Sequence, residues 1–320
     1  MNAPQTNVSL PLPNGWFAVC WARDLAEGEV KRIHAFGREL VLFRTRGGEP
    51  AMLDAYCPHL GAHLAVGGRV VGDTVRCPFH GWRFDANGTC VEIPHCERIP
   101  PAARLRGWGM VERNEMIFAW HHAEEKPPSW EVPVIHEVGD ADWTEPRLID
   151  IDVAVHVQEL AENNADPAHF EFVHGTPDMP ATTTEYAEDG RFYRTVSKGV
   201  RETPMGTFET ELIRETHGLG MGVVRSVGIP GAGLVLYSST TPIDETHSTM
   251  RWLLTTTRNI VDVVGEDFMQ GIVQGVHQDI PIWENKIHRA SPVLSENDAL
   301  ISEYRRWTRQ FYSELEPASE

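Results

Sequence analysis

The sequence predicts an α+β protein: an N-terminal all-β domain, then a second domain in which an antiparallel sheet carries helices on one side. The length of 320 residues is typical of about two domains. Short strand-like segments fill the first third of the chain, whereas longer strands and helical apolar spacing follow. These observations favour two different architectures joined in one chain.

Residues 16–120 contain short segments rich in aromatic and β-branched side chains, among them "WFAVCWARDL", "RELVLFRT" and "NEMIFAW". Glycine-containing turns separate these segments. Asn87-Gly88 is a strong hairpin signal, because both residue types tolerate positive φ. We therefore expect a first, all-β domain over residues 1–125.

The segment "HHAEEKPPSWEVP" is charged and rich in proline, so it predicts a linker before a second domain over residues 126–320. Longer strands are expected at 146–158 and 185–256. Helical patterns occur in "QELAENNADPAHFEFVHG", from about 260 to 288, and in "ALISEYRRWTRQFYSEL". A sheet with helices on one side accommodates all of these elements.

Composition narrows the classes of partner. A formal net charge of -18 argues against binding to nucleic acid or to an anionic membrane surface. No segment approaches the roughly 20 apolar residues of a membrane-spanning helix, and the N-terminus lacks the pattern of a signal peptide. We therefore expect a cytoplasmic protein whose five cysteines stay reduced or bind metal; their odd number also argues against a closed set of disulfides.

Two short boxes each combine a cysteine with a histidine. "YCPHLGAHL" contains Cys57 and His59, and "CPFHGW" contains Cys77 and His80, with seventeen residues between the boxes. Zinc would accept such a set, a disulfide would need an oxidising compartment, and a [2Fe–2S] cluster with two histidine ligands is the third alternative. Zinc sites commonly use C-x-x-C spacings and rarely open with C-x-H, so the third alternative is favoured.

The compound pattern C-P-H-x-G … C-P-x-H-G-W resembles the Rieske domain signature. The resemblance implies that Cys57 and Cys77 hold one iron while His59 and His80 hold the other. A glycine stands just after the histidine of each box, Gly61 and Gly81, and allows backbone N–H groups to approach the bridging sulfides.

One departure from the signature is informative. Rieske proteins of respiratory complexes carry an extra cysteine in each box, but Ala62 and Phe79 stand at those positions here. The resemblance therefore implies the lower-potential oxygenase or ferredoxin type. Cys90, His95 and Cys96 lie beyond the boxes, and we interpret them as structural.

A second candidate metal site lies in "ENNADPAHFEFVHG". His169 and His174 are five residues apart, and Asp166 precedes them. On an ideal helix five residues turn the side chains by roughly 140° from one another. The pair therefore shares a metal only if the helix is locally broken, which Pro167 and Gly175 make plausible.

Two imidazoles and one carboxylate form the facial triad of non-haem Fe(II) oxygenases. The carboxylate is either Asp166 or Asp279, which falls in line with Phe268 and Ile272 on the apolar stripe of a predicted helix. A buried acid needs a partner, and the alternative to iron is a salt bridge to a buried Lys or Arg. "HQD" at 277–279 also matches the H-x-D of 2-oxoglutarate oxygenases, but that motif requires a jelly-roll strand.

With both sites in view, the chain resembles Rieske non-haem iron oxygenases over nearly its whole length. The central segment is similar to their D-x-x-H-x-x-x-x-H motif, which implies His169 and His174 as iron ligands and Asp279 as the third. Asp166 then matches the carboxylate that bridges an iron-bound histidine to a Rieske histidine of the neighbouring subunit. The resemblance also implies a helix-grip-type catalytic domain.

"HQDIPIWENK" and "YRRWTRQFY" are most similar to the oxygenase component of 3-ketosteroid 9α-hydroxylase and to cholesterol 7-desaturases. The resemblance implies a terminal oxygenase that uses O₂ to hydroxylate or desaturate a hydrophobic, steroid-like substrate. It further implies one [2Fe–2S] cluster and one mononuclear Fe(II) per chain. NAD(P)H would act indirectly, through a flavin-dependent reductase and/or a ferredoxin, and the assembly would be a head-to-tail homotrimer.

Two other functions remain open from the sequence. One is an aromatic-ring dioxygenase or an O- or N-demethylase of the same family, and the other is a non-catalytic Rieske electron-transfer protein. For an oxygenase, we expect the substrate pocket to be lined by the sheet around 205–256 and by the loop "GTPDMPATTT" after His174.

Overall fold

The computed structural model describes residues 10–175, 182–187, 190–203, 206–260 and 266–313. Within these ranges it describes only the backbone of Arg201, Thr203 and residues 266–273. The chain forms two compact units. The first comprises Asn14–Val134 with Thr241–Asp244, and the second comprises Met1–Pro13, Ile135–Thr240 and Glu245–Glu320.

The division after Val134 leaves the proline-rich segment in the first unit, whereas the sequence placed the boundary after residue 125. Hydrogen bonds account for this difference. The indole N–H of Trp16 donates to the carbonyl of Trp130 at 2.7 Å. The side-chain amide of Asn114 donates to the carbonyl of Pro133 at 2.8 Å. The predicted linker is thus tied down against the β domain.

The first unit is built from ten short strands. They are β1 Gly15–Trp21, β2 Val30–Ala35, β3 Arg38–Arg44, β4 Pro50–Asp54, β5 Arg69–Val71, β6 Thr74–Arg76, β7 Arg83–Phe84, β8 Cys90–Glu92, β9 Met110–Arg113 and β10 Met116–His121. A 3₁₀ turn, Ala22–Asp24, follows β1. The strands form three antiparallel sheets with the orders β1-β10-β9, β2-β3-β4 and β5-β6-β7-β8. The predicted all-β domain is therefore confirmed.

The hairpin between β7 and β8 contains the predicted Asn87-Gly88 turn. Gly88 has φ 80° and donates its N–H to the carbonyl of Asp85 at 3.0 Å. A Cβ on Gly88 would lie 2.2 Å from the carbonyl oxygen of Leu105, so this position requires glycine.

The second unit contains one seven-stranded antiparallel sheet. Its strands are β11 Arg147–Val153, β12 Thr182–Tyr186, β13 Phe192–Thr203, β14 Gly206–His217, β15 Met221–Val227, β16 Leu234–Pro242 and β17 Ser248–Thr256. Their order is β11-β17-β16-β15-β14-β13-β12, so the first strand pairs with the last and the others follow as a meander. Its helices are α1 Val157–Glu162, α2 His169–His174, α3 Glu266–Trp283 and α4 Ala299–Thr308. Short 3₁₀ turns occur at Asn163–Ala165, Glu296–Asp298 and Arg309–Phe311.

The helices pack on the sheet through apolar side chains. Ile151 and Met250, which are paired on β11 and β17, share a core cluster with Leu160 of α1 and with Val276 and Trp283 of α3. At the other end of the sheet, helix α4 packs two aromatic rings against Tyr193 of β13. The predicted α+β architecture is confirmed, because α1, α3 and α4 each pack apolar side chains on the sheet.

The helix predicted from about 260 to 288 is α3, which ends at Trp283. Residues 261–265 of that prediction lie outside the described residues, as do the side chains of Phe268 and Ile272, on which the predicted apolar stripe depended. Pro281 lies inside α3. No helix in the described ranges combines the length and hydropathy needed to cross a membrane.

Candidate functional site

The two Cys/His boxes fold into the same closed turn. In the first, the N–H of Cys57 donates to the carbonyl of Ala62 at 2.9 Å, and the N–H of Gly61 donates to the carbonyl of Cys57 at 2.9 Å. In the second, Cys77 and Gly81 make the equivalent bonds, at 2.8 Å and 3.2 Å. Both glycines have positive φ, 74° and 76°, which explains why glycine ends each box.

These turns separate the donor atoms by type. Cys57 and Cys77 are buried in the core of the first unit, whereas the imidazoles of His59 and His80 are exposed, with ring centroids 4.6 Å apart. The indole of Trp82 stacks on His59 with an interplanar angle of 9°. The thiols therefore lie on the inner side of the two turns and the imidazoles on the outer side.

The chemistry of this donor set fits an iron–sulfur cluster. Burial and, to a smaller extent, the neighbouring Cys77 raise the pKa of the Cys57 thiol to about 11. Two facing thiolates need a cationic partner there, and iron supplies one. All five cysteines are free thiols, including Cys90, which lies in the same core cluster. The two boxes therefore contribute two sulfurs and two imidazoles to this candidate site.

The second site is built around helix α2. This helix begins at His169 and ends at His174, and it has no break between them. The sequence argument required a local break, but the two histidines occupy the first and last positions of a very short helix instead. Gly175 ends it in the left-handed conformation, with φ 68°. At these positions the imidazoles converge, with ring centroids 5.2 Å apart.

Hydrogen bonds donated by Nδ1 orient both imidazoles. Nδ1 of His169 donates to the backbone carbonyl of Asp166 at 2.5 Å. Nδ1 of His174 donates to Oε1 of Gln278, on α3, at 2.9 Å. Because Nδ1 carries the proton in each ring, the lone pair of each Nε2 is available to a metal.

Asp279 of α3 completes the cluster. Its Oδ2 lies 3.5 Å from Nε2 of His174, and the donor atoms of His169, His174 and Asp279 all lie within 4.8 Å of one another. The side-chain amide nitrogen of Asn163 lies 3.2 Å from Nε2 of His169 and 3.4 Å from Oδ2 of Asp279. Two imidazoles and a carboxylate thus face a common point, which is the arrangement that Fe(II) oxygenases use.

Burial shapes the electrostatics of the triad. It raises the pKa of Asp279, whose side chain is one of the few buried acids, and lowers the pKa of His169. Both shifts favour the neutral forms of the Asp279 carboxyl and the His169 imidazole when no metal is bound. Among the described residues, Asp279 contacts an imidazole and an amide and makes no salt bridge to Lys or Arg, which was the alternative to a metal. A divalent cation fits this site, and His277 of the "HQD" triplet is exposed and lies outside it.

Asp166 contacts the same histidine but does not join the triad. Its Oδ1 accepts from the N–H groups of Ala168 at 3.0 Å and His169 at 3.3 Å, so it caps the start of α2. Its Oδ2 lies 3.9 Å from Nδ1 of His169, and 30% of its side chain is exposed. The structure therefore brings Asp279, and not Asp166, to the candidate metal.

The triad opens into a cavity of about 670 Å³. Strands β14 to β17 form one wall, and α2 with α3 forms the other. Alternate residues of these strands point into it, and apolar side chains predominate, including Leu212, Val224, Leu234, Leu236, Met250 and Trp252. The predicted sheet lining is present, whereas most of the predicted loop after His174 lies outside the described residues.

Three residues of this site were not identified from the sequence. Asn163 precedes His169 by six positions, and Gln278 adjoins Asp279; both are polar residues in helical segments that carry the ligands. That adjacency is a signal that could have found them. Arg214 lies on β14, far from either motif, and nothing local in the sequence marks it as part of the cavity.

Two family models together match most of the chain. Residues 15–105 match the family model described as the Rieske [2Fe-2S] domain. Residues 119–312 match the model described as the 3-ketosteroid 9alpha-hydroxylase C-terminal domain. The first range contains the two Cys/His boxes, and the second contains the triad.

Relatives match over nearly the whole chain. A cholesterol 7-desaturase of Ciona intestinalis is 35% identical over 95% of this chain and 70% of its own length. A probable 3-ketosteroid-9-alpha-monooxygenase oxygenase component of Rhodococcus rhodochrous is 32% identical over 94% of this chain and 80% of its own. Among solved structures, a variant of NdmA from Pseudomonas putida CBB5, in complex with theobromine, is similar in fold, with a TM-score of 0.75 at 20% identity over 92% of this chain and 89% of that one.

Proposed function

The chain belongs to the Rieske non-haem iron oxygenases, and on that premise we propose that it hydroxylates or desaturates a hydrophobic, steroid-like substrate with O₂. It carries a Rieske [2Fe–2S] domain and is an oxygenase component, so its electrons come from a separate reductase or ferredoxin. The observation that supports the substrate class is the apolar cavity of about 670 Å³ beside the triad. A volume of this size suits a drug-sized or sterol-sized ligand.

Four residues of the first unit would hold the cluster: Cys57, His59, Cys77 and His80. The mononuclear iron would be held by His169, His174 and Asp279. When bound, the cluster supplies single electrons, and the ferrous ion supplies the open positions at which O₂ is activated. The protein orients the two histidine ligands. The carbonyl of Asp166 and the side-chain amide of Gln278 accept hydrogen bonds from Nδ1 of His169 and His174 and so fix the planes of these rings.

The apolar walls serve the same reaction by excluding water. Leu212, Leu234 and Leu236 line the sheet side, and Trp252 lies on the neighbouring strand. A hydrophobic substrate displaces poorly bound water from such walls and keeps its reacting carbon near the triad. The names of the two relatives, cholesterol 7-desaturase and 3-ketosteroid-9-alpha-monooxygenase, support a sterol or 3-ketosteroid as that substrate.

Electron transfer would use a homotrimer in which Asp166 bridges subunits. The Oδ1 of Asp166 caps α2, while Oδ2 is directed near Nδ1 of His169 and the side chain is partly exposed. This carboxylate would accept a hydrogen bond from a Rieske histidine of the next subunit. We place the protein in the cytoplasm because its five cysteines form no disulfide in the structure, as in a reducing compartment.

The decisive experiment couples the purified protein to a surrogate flavin reductase. Sterols, 3-ketosteroids and aromatic acids are offered in turn, and NADH use and product mass are both recorded. We expect a product heavier by one oxygen or lighter by two hydrogens with a steroid, and none from Asp279→Ala. If only aromatic substrates are oxidised, the substrate class is wrong.

Iron analysis separates the oxygenase from a non-catalytic electron carrier. An oxygenase holds about three irons per chain, and a carrier with an empty second site holds about two. Asp279→Ala is the matched variant, because it removes one donor of the triad and leaves the first unit untouched. A wild-type protein with two irons, reconstituted anaerobically, would refute the catalytic function.

A further inference from the structure

Arg214 is the one described residue of the cavity lining that is always cationic. It lies in the middle of β14, paired with Thr195 on one side and Val224 on the other, and only 7% of it is exposed. The register places it on the same face as Leu212 and Thr216, which also line the cavity. Its guanidinium is therefore built into the wall of the substrate cavity.

Hydroxyl and aromatic groups hold this guanidinium in place. One N–H group donates to Oγ of Ser197 at 3.1 Å. The hydroxyl of Ser197 in turn lies 2.9 Å from that of Thr182. The guanidinium carbon lies 5.2 Å from the ring centroid of Phe170, which gives a cation–π contact. These contacts fix the side chain but do not neutralise its charge.

No carboxylate in the described part of the chain forms a salt bridge with Arg214. Burial lowers the pKa of Arg214, and the group that opposes this shift is the phenol of Tyr193, not a carboxylate. Other partly buried arginines of the same unit behave differently. Arg225 pairs with Glu137 and Glu215, and Arg305 pairs with Glu162 at 2.6 Å and 2.8 Å. Arg214, which lines the cavity, has no acidic partner of this kind among the described residues.

A guanidinium has five N–H donors in a planar fork, which matches a carboxylate with two parallel hydrogen bonds. A buried charge without a counter-ion is costly, so the site favours an anionic ligand. Asp279 cannot serve, since its carboxylate is directed at the triad. We propose that Arg214 binds a carboxylate on the substrate, so that the substrate is a steroid-like acid and not a neutral sterol. This inference rests on the proposed function.

The position of Arg214 also orients such a substrate. Its guanidinium stands over Phe170, whose ring centroid lies 4.4 Å from that of His169 and 5.4 Å from that of His174. A carboxylate held there fixes one end of the substrate close to the triad. The apolar skeleton then extends along the sheet wall, and the distance from the acid group selects the carbon that is oxidised.

Binding of a matched pair of probes tests the proposal. The acid is 3-oxo-4-androstene-17β-carboxylic acid, and its neutral partner is the 17β-carboxamide; both share the ring system and the 3-oxo group. Kd is measured calorimetrically on the anaerobic holoenzyme without reductant, so no turnover is needed. We expect the wild type to bind the acid at least about tenfold more tightly, as for one charge-assisted pair.

Two variants locate the preference. Arg214→Gln should bind acid and amide equally well, and Arg214→Lys should keep part of the preference, because the charge remains but the fork is lost. Ser226→Ala, which removes a neutral polar group from the same cavity lining, is the matched control and should keep it in full. Thermal unfolding and the cluster absorbance confirm that each variant is folded.

Equal affinity of the wild type for acid and amide would overturn the proposal, even if no variant folds. A preference for the acid that persists in Arg214→Gln would also overturn it. So would an equal loss of affinity for acid and amide in that variant, because the guanidinium would then bind the shared 3-oxo group or support the fold. If the amide is oxidised with coupled NADH use and the acid is not preferred, the role of Arg214 is wrong but the proposed function stands. If no steroid is oxidised but the acid is clearly preferred in binding, the proposed function is wrong but the role of Arg214 stands.

Discussion

Nδ1 of His174 lies 2.9 Å from Oε1 of Gln278, and Gln278 immediately precedes Asp279 on α3. One turn of one helix therefore supplies a candidate iron ligand and the acceptor that orients a second ligand. The same contact joins α3 to the end of α2. Metal binding and the packing of these two helices are consequently coupled.

Replacement of Gln278 by leucine should weaken the mononuclear iron site. Without the Oε1 acceptor the ring of His174 can rotate, and we expect iron affinity to fall about 10- to 100-fold. Chelator competition at constant cluster content measures this. Gln278→Glu, which keeps an acceptor, should retain more affinity. Gln274→Leu, on the preceding turn of α3, is the control; if it matched Gln278→Leu, the orienting role would be wrong.

The buried cysteines should differ in their effect on the cluster. Cys57, Cys77 and Cys90 belong to the same core cluster, but only the first two lie in the Cys/His boxes. We expect Cys77→Ala to abolish the visible absorbance and the reduced-state EPR signal. Cys90→Ala should keep both, with only the cost of a small cavity in stability. Loss of the cluster in Cys90→Ala as well would contradict the ligand assignment.

Stability should fall in mild acid because of His156. Burial lowers its pKa to about 4. Nδ1 accepts from the N–H of Gln158 at 3.1 Å and caps α1, while Nε2–H donates to the carbonyl of Pro11 at 3.2 Å. Protonation at Nδ1 would break the cap. A histidine whose pKa is lowered on folding stabilises the folded protein fully above its pKa in the unfolded chain, which is near 6.5. This stabilisation, about 3 kcal/mol for His156, is lost as the pH falls from about 6.5 towards 4.

Charged neighbours of His156 leave that pH window nearly unchanged. Glu159, His288 and Glu245 face it, and the net effect remains the lowered pKa. Although burial alone would raise the pKa of Glu159, hydrogen bonds from His288 and Lys286 lower it to about 2, so its contribution is lost mainly below pH 4.5. Urea midpoints between pH 4 and 7 measure the slope. His156→Asn, which still caps a helix, should flatten it; the exposed His136→Asn should not.

Replacement of Asp166 by asparagine should slow turnover while both metal sites remain filled. The amide oxygen can still cap α2 in place of Oδ1, and the backbone carbonyl still orients His169. The variant lacks only the negative charge, and we expect product formation to fall at least about tenfold. Ala168→Ser, beside it on the same turn, is the control. Full coupled activity in Asp166→Asn would count against a bridge between subunits.

Much of this protein is determined by local sequence. The Cys/His boxes specify their own turns, because glycine takes without strain the positive φ that ends each box at Gly61 and Gly81. The all-β first unit and the sheet with helices follow from patterns of apolar residues that each segment carries within itself. The pair His169 and His174 could also be found, since both ligands lie in one short segment.

Other features were decided only by the tertiary structure. The sequence required a break in α2, but the histidines converge because they occupy the two ends of a single short helix that α3 packs against. The position of Arg214 over Phe170 depends on the pairing of β14 with β13 and on the placement of α2 above the sheet. The pattern of apolar residues in a helix or strand determines which of its sides is buried. Which residues of other elements pack against that side depends on segments far away in the sequence.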